Sequence, residues 1–260
     1  MPKKRIIFTL LFDSNNKFFH LSRNFNLQKV GDIDWLNKNY NFDLVSRYID
    51  ELIVLDVTRE ESNLNEFCKM LKNLSSKCFL PIAAGCHIRN EQSARNLLLS
   101  GADKLVLNTS LFKNKKLIKE LRLSYGRQCI VGSIDIKKSN LHNFEIFINN
   151  GRDKIELSLN EIFDAISIED IGEFYINSID KDGTGQDYNY EILEQLPKIN
   201  IPIIFAGGAG NPTHIINCLK NNKVDAASTA HLFNFIGNSL ENTREKAISE
   251  GIELATWEYF

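Results

Sequence analysis

Apolar residues fall along this chain in eight short runs rich in β-branched and aromatic side chains, at Ile6–Leu11, Leu52–Asp56, Leu80–Ala84, Lys104–Asn108, Cys129–Asp135, Glu173–Ser178, Ile201–Ala206 and Asp225–Thr229. Between these runs the apolar positions return at helical spacing on a polar background. Asn90 stands before EQSARNLLLSG, and Asn211-Pro212 opens THIINCLKNN, an N-cap residue followed by proline at the first helical position. Strand runs alternating with helices predict parallel βαβ units, and eight such units close into a (β/α)8 TIM barrel. No Pro- or Ser-rich linker interrupts the pattern, so residues 1–260 read as one α/β domain.

The pattern also repeats. IAAGCHIRN from Ile82 matches IFAGGAGNP from Ile204, and GADKLVLNTSLF from Gly101 matches KVDAASTAHLF from Lys223, both at an offset of 122 residues. Two matches at one offset predict a twofold duplication, with half-barrels of about residues 1–125 and 126–260. Residues 137–160, rich in Asn and Lys around an alternating FEIFI, read as a hairpin inserted after the fifth strand, on the catalytic face.

Composition narrows the function. Of 260 residues 43% are hydrophobic and 25% charged, and 31 basic against 33 acidic side chains leave a net charge of −2. That balance, with no basic stripe, argues against nucleic acid or an acidic membrane as the partner. The apolar stretch in MPKKRIIFTLLFDSN spans only about seven residues, too short for a signal core or a membrane span, and the expected location is cytoplasmic. Cys68, Cys78, Cys86, Cys129 and Cys218 form an odd set without a CxxC pair, which predicts reduced thiols used in packing. His20, His87, His142, His214 and His231 show no ligand spacing, so neither a metal nor another cofactor is called for.

Barrel logic sorts the remaining polar residues, because residues at the C-terminal strand ends carry chemistry and those at the opposite mouth carry stability. The first group contains Asp56, Asn108-Thr109, Asp135, the run Asp180–Thr184 and Gly207-Gly208-Ala209-Gly210. Glycines directly before a helix leave backbone N–H groups open to an oxyanion, which makes Gly207 and Gly208 candidates for a phosphate site. Gly85-Cys86-His87 is its poorer counterpart in the other half. Asp135 ends an apolar strand, where desolvation would raise its pKa towards proton-transfer range; the alternative is an ion pair with Lys137 or Lys138. At the opposite mouth, Arg5, Glu51, Lys104 and Glu173 begin strands one, two, four and six. Closure should bring them into a neutral ion-pair ring, whose plain reading is a stability cluster.

The segments KRII, DELIVLDVT, GADKLVLNT, GSIDIKK, NSIDKDGT and FAGGAG together resemble HisF, the cyclase subunit of imidazole glycerol phosphate synthase, nearly end to end. The related isomerase HisA fits less well. The resemblance implies a (β/α)8 fold, a lyase-type cyclase, a HisH-type glutaminase as partner in a heterodimer, and a phosphorylated substrate, PRFAR. In that family ammonia from the partner enters at the barrel bottom, crosses the interior and reacts at the top, giving imidazole glycerol phosphate and an aminoimidazole carboxamide ribotide. Carried over by position, Arg5, Glu51, Lys104 and Glu173 match the ammonia gate and Asp103 a partner-facing aspartate. Asp135 matches one of two catalytic aspartates. Asn108 and Thr109 match one phosphate site, and Gly183, Gly208 and Ala230 the other.

The departures concentrate at the top. The family's second catalytic aspartate ends strand one, where this chain reads TLLFD, so Leu11 or Phe12 takes its place and Asp13 substitutes only if a bulge re-aims it. His87 replaces a glycine of one phosphate site and His231 a small hydroxyl residue of the other; the readings are a changed ligand, an adapted phosphate site, or packing. His20 or Arg23 stands near the place of the family's loop lysine. Three functions follow from the resemblance. The first is a diverged HisF-type subunit that receives ammonia and passes it to a different acceptor, with a third amidotransferase protein as a further partner, as in branches that amidinate surface sugars. The second is a working histidine-pathway cyclase. The third is a scaffold that only activates the glutaminase.

Overall fold

Strand β1 (Arg5–Asp13) lies between its two parallel neighbours β4 (Glu51–Asp56) and β12 (Ala226–Thr229), and from there the sheet closes on itself. The computed structural model describes residues 3–39, 45–139, 143–230 and 238–255. Beyond β4 come β5 (Ile82–Gly85), β6 (Lys104–Leu107), β7 (Ile130–Lys138), β10 (Glu173–Ser178) and β11 (Ile203–Ala206), which pairs with β12. All eight pairings are parallel, and helices occupy the crossovers, so the chain forms the (β/α)8 TIM barrel that the strand count predicts.

Two strands outrun their predicted ends because each feeds an antiparallel hairpin at the top. β1 continues to Asp13 and pairs with β2 (Phe18–Arg23), which turns back through β3 (Asn26–Gly31). β7 continues to Lys138 and pairs with β8 (Phe144–Ile148), followed by β9 (Asp153–Ile155). The pattern of residues 17–31 did not mark the first hairpin, since its polar residues break the alternation irregularly and its tip carries no Gly. Its tip, Asn24-Phe25, takes positive φ at both positions, the geometry of a tight hairpin turn.

Period-two alternation divides the barrel residues between two cores. Outward-facing Ile6, Phe8, Leu52, Val54, Leu105, Ile134, Phe174 and Phe205 join the helices in the large outer core. Inward-facing Ile7, Ile53, Ala83, Val106, Val131, Tyr175, Ile204 and Ala226 fill the lumen. Each buried Leu, Ile or Phe contributes about 1.5–3 kcal/mol, so the outer layer supplies most of the stability. Local signals agree with this arrangement. Asn90 Oδ1 accepts the Ser93 N–H at 2.8 Å within a capping box, and Asn211 Oδ1 accepts the His214 N–H at 3.1 Å with Pro212 opening the helix. Asp103 and Asp225, 122 residues apart, make the same bond, each accepting a strand-opening N–H, from Ile82 at 2.8 Å and Ile203 at 2.9 Å. The five cysteines are free thiols, four of them buried. Among the described residues no helix is long and apolar enough to cross a membrane.

Candidate functional site

Period-two alternation also stacks the inward residues in levels from one mouth of the barrel to the other. At the N-terminal mouth, the first residues of β1, β4, β6 and β10 meet in a closed ring of four ion pairs. Arg5 Nη1 lies 2.9 Å from Glu51 and its Nη2 2.6 Å from Glu173, while Lys104 Nζ lies 2.9 Å from Glu51 and 2.5 Å from Glu173. Both carboxylates are buried, and each cation keeps about a fifth to a quarter of its surface in contact with solvent. Burial works against the Glu173 charge, yet Arg5 and Lys104 outweigh it and hold this carboxyl below its ordinary range.

Above the ring lies the apolar lumen, in which Tyr175 is the polar exception. Its hydroxyl is hydrogen-bonded to Thr9 and Ser228, whose own hydroxyls are 2.7 Å apart, and burial pushes the phenol upward so that it stays protonated. These three residues line the lower part of a cavity that opens at the C-terminal ends of the strands.

That cavity brings together Asn108, Thr109, Asp135, Gly183, Gly207, Gly208, Ala230 and His87. Asp135 is part of this wall and is buried. Burial raises its carboxyl to about 7, opposed by a hydrogen bond from Asn177 and reinforced by the negative charge of Asp182. Asn108 Nδ2 lies 3.2 Å from the same carboxylate and 3.2 Å from the Ser133 carbonyl, so its amide orients Asp135. The alternative of an ion pair to the neighbouring lysines does not form: Lys138 pairs with Glu191 at 2.5 Å, and the Asp135 partners are the two amides. A buried carboxyl raised to about 7 and held by two amides is equipped to take up and return a proton.

Asp13 does not join it. Its Oδ1 accepts the N–H groups of Asn15 and Asn16 at 3.0 and 2.9 Å, and its Oδ2 accepts the Asn16 side-chain amide, which holds the turn between β1 and β2 and keeps the carboxyl below its ordinary range against a burial penalty. No bulge re-aims it, and it is absent from the cavity wall. The parity of β1 decides between the other two residues: Phe12 faces outward against Phe19 and Phe67, and Leu11 faces the cavity beside Leu55. Leu21, Phe25, Leu27 and Val57 add further apolar side chains to the cavity wall. Of the other loop candidates, His20 Nδ1 is 3.1 Å from the Phe18 carbonyl and neither His20 nor Arg23 reaches the cavity wall.

The two ends of the cavity differ. Gly208, at φ 110°, packs so closely on the Asp187 carbonyl that a Cβ would lie 2.1 Å from it, which fixes glycine at this position. Gly183, at φ 66°, likewise leaves room only for the Ser22 carbonyl of the β2–β3 hairpin, and Asp182 beside it accepts from the Ser22 hydroxyl. At the opposite end His87 adopts φ 39°, unusual for a side-chain-bearing residue, and its Nε2 is 3.4 Å from the Asn150 amide at the tip of the β8–β9 hairpin. Thr109 Oγ1 already accepts the Asn149 N–H at 3.1 Å. Burial lowers the His87 pKa, Asp56 opposes that shift, and Arg89 and Arg152 add to it. Asp56 itself ties loops together, accepting from Ser14 Oγ at 2.8 Å and Thr58 Oγ1 at 2.6 Å. His231 lies outside the described residues. Asp103 is exposed at the bottom mouth, next to Lys104.

Sequence reasoning missed Asn177, Tyr175, Arg59 and Arg89 as cavity residues. For the first two a signal was present: both share the parity of Glu173 on β10 and therefore point into the lumen.

The chain is similar to known proteins over most of its length. The profile of a family described as "Histidine biosynthesis protein" matches residues 31–237. A protein of Parasynechococcus marenigrum (strain WH8102), provisionally named imidazole glycerol phosphate synthase subunit hisF2, is 40% identical over 259 residues, covering 99% of this chain and 95% of its own length. Imidazole glycerol phosphate synthase subunit HisF of Clostridium botulinum (strain 657 / Type Ba4) is 34% identical over 233 residues, 88% of this chain and 90% of that one. The HisF subunit of Dictyoglomus turgidum (strain DSM 6724 / Z-1310) is 32% identical over 228 residues, 87% and 88% of the two chains.

Proposed function

Because this chain belongs to the histidine biosynthesis family as a HisF-type barrel, we propose that it is the synthase subunit of a glutamine amidotransferase complex, taking ammonia from a HisH-type glutaminase and delivering it to an acceptor other than PRFAR. The observation that carries this reading is the contrast between the two mouths. The bottom keeps a complete Arg5–Glu51–Lys104–Glu173 ring, whereas the top keeps Asp135 and presents Leu11 where an acid partner would stand. Phe79, Leu99 and Leu123 support a docking face at the bottom: each is exposed, and each lies on a segment leading into β5, β6 or β7. Large apolar side chains left in water around a ring-closed mouth suit a protein partner.

Ammonia crosses such a barrel as the neutral molecule, so an apolar lumen excludes ammonium and water-borne protons while Tyr175, Thr9 and Ser228 offer hydrogen bonds halfway. At the top Asp135, in its ionised form, takes the proton released when nitrogen attacks an electrophilic carbon. A third protein that holds or activates the acceptor belongs to this reading.

A second reading, retained PRFAR cyclisation, draws on one observation: Asp182 also lines the cavity with a carboxyl raised by burial, so a second acid is present at a different place. The deciding experiment gives the purified chain, with a HisH-type partner, PRFAR with ammonium and then with glutamine. The expected result is stimulated glutaminase activity without PRFAR consumption. Turnover with both nitrogen sources would establish the histidine-pathway cyclase instead.

A further inference from the structure

We propose that the His87 end of the cavity binds a diphosphate-type group through arginine side chains, so that the ligand is charged unequally at its two ends, with a single phosphate at the Gly207–Gly208 end. This rests on the reading of the cavity as the site of an anionic acceptor and names the chemistry of that acceptor. At the glycine end the wall offers backbone, small side chains and the Asp182 carboxyl but no arginine or lysine, and Gly208 sits against the Asp187 carbonyl with no room for a longer residue. The other end is different. Arg59 and Arg89 both line the cavity, and Arg152, from the β8–β9 hairpin, donates to the Arg59 carbonyl and to Asn149 Oδ1, which aims it at the same corner.

Arg89 and Arg152 both act on the His87 ring, and Arg152 is bonded to the backbone carbonyl of Arg59, so the three residues gather at this end of the cavity. Among the described residues none of the three is ion-paired with a carboxylate. Arg59 spends one donor on the Phe25 carbonyl at 2.9 Å, and a guanidinium has five. Asp56, the carboxylate that faces the same imidazole, already accepts from Ser14 and Thr58, so the arginines keep donors for an anion, and planar bidentate groups are well matched to phosphoryl oxygens. The backbone cradle at this end is meanwhile crowded, with the His87 side chain turned in at φ 39° and Thr109 Oγ1 already accepting from Asn149. A phosphoryl group is therefore met at the rim by arginines, and the rim holds enough cationic charge for two phosphoryl groups in series.

The test is equilibrium binding of inorganic phosphate and of inorganic pyrophosphate to the full chain at one ionic strength. Each charge-assisted contact is worth about tenfold in affinity, so pyrophosphate is expected to bind about tenfold or more tighter than phosphate. The preference should fall to about threefold or less in Arg59→Gln/Arg89→Gln, and substantially in Arg89→Gln alone, whose exposed side chain carries no fold. Pyrophosphate should also move the His87 ring resonance and shift its titration upward in the wild-type chain, but not in the double variant. Equal affinity for the two anions, or a preference that survives both substitutions, overturns the proposal and leaves ammonia delivery intact. Failure of either anion to bind overturns the anionic-acceptor reading as well.

Discussion

Asp135 and Asn177 are register partners across β7 and β10, and the Asn177 amide is hydrogen-bonded to the Asp135 carboxyl while its own Oδ1 has no partner. Burial raises Asp135 to about 7 from an ordinary value of 3.8, so between those values the folded protein holds a proton that the unfolded chain has released. Stability therefore falls as pH rises through that window, by roughly 4 kcal/mol for this one group. Asp135→Asn removes the titration. Denaturant unfolding at pH 4, 6 and 8 should show the variant gaining on the wild-type protein step by step, and parallel profiles would show that Asp135 is not so perturbed.

Asn177→Leu keeps the volume and removes the donor that opposes the rise. The Asp135 midpoint then moves above 7, read from the carboxyl carbon resonance in a pH titration. The unpaired Oδ1 adds a second expectation. Buried acceptors without a donor cost about 1–3 kcal/mol, so an N–H-bearing ligand that supplies one should protect the wild-type protein against unfolding more than it protects Asn177→Leu. An unmoved midpoint would mean that the amide only fills space.

Why β10 carries both the ring glutamate and these two residues was accessible from the sequence, and why they matter was not. Glu173, Tyr175 and Asn177 follow one parity, and once Glu173 is placed in the ring the others must point inward. The eight strands and their closure were equally legible, because short β-rich apolar runs separated by capped helices leave few alternatives. What could not be read were the two hairpins' tips. Asn24 and Phe25 adopt positive φ without glycine, so that turn carries no strong local signal, whereas the Asn149-Asn150-Gly151 turn carries one that says nothing of where its tip docks. Their contacts with Asp182, Thr58 and Thr109 join residues far apart in the chain, and the fate of Asp13 depended on a turn that propensity does not mark.

The ring gives a prediction about stability. Lys104 touches both buried carboxylates, and Lys104→Met leaves Glu51 and Glu173 sharing Arg5 alone. Removing one partner from a buried pair costs about 3–5 kcal/mol, and partial exposure of Lys104 brings the expected loss nearer 2 kcal/mol. Urea unfolding measures it. Glu51→Gln/Lys104→Met should recover part of the loss, since it removes the carboxylate along with its cation. A loss in the double variant equal to the sum of the single ones would show that the ring members act independently.

Leu11→Asp asks whether the top face differs from a cyclase by one side chain. Leu11 is the inward residue of β1 at the level of Leu55, so an aspartate there faces the cavity that holds Asp135. Two carboxyls in one pocket raise one another's pKa, which creates an acid and a base from the same residue type. The substitution also places a polar group against an apolar wall, at a cost of about 1–3 kcal/mol that the fold can carry. PRFAR consumption with ammonium is expected to rise from undetectable in the wild-type chain to measurable in Leu11→Asp. Asp13→Asn, which loosens only the β1–β2 turn, should leave PRFAR consumption unchanged in either background. If the wild-type chain already turned over PRFAR and Asp13→Asn abolished it, the turn aspartate would have to reach the cavity in the working enzyme. If Leu11→Asp stayed inactive while still binding phosphate, the barrier would lie at the arginine-lined end of the cavity, which admits the wrong ligand whatever the acid pair.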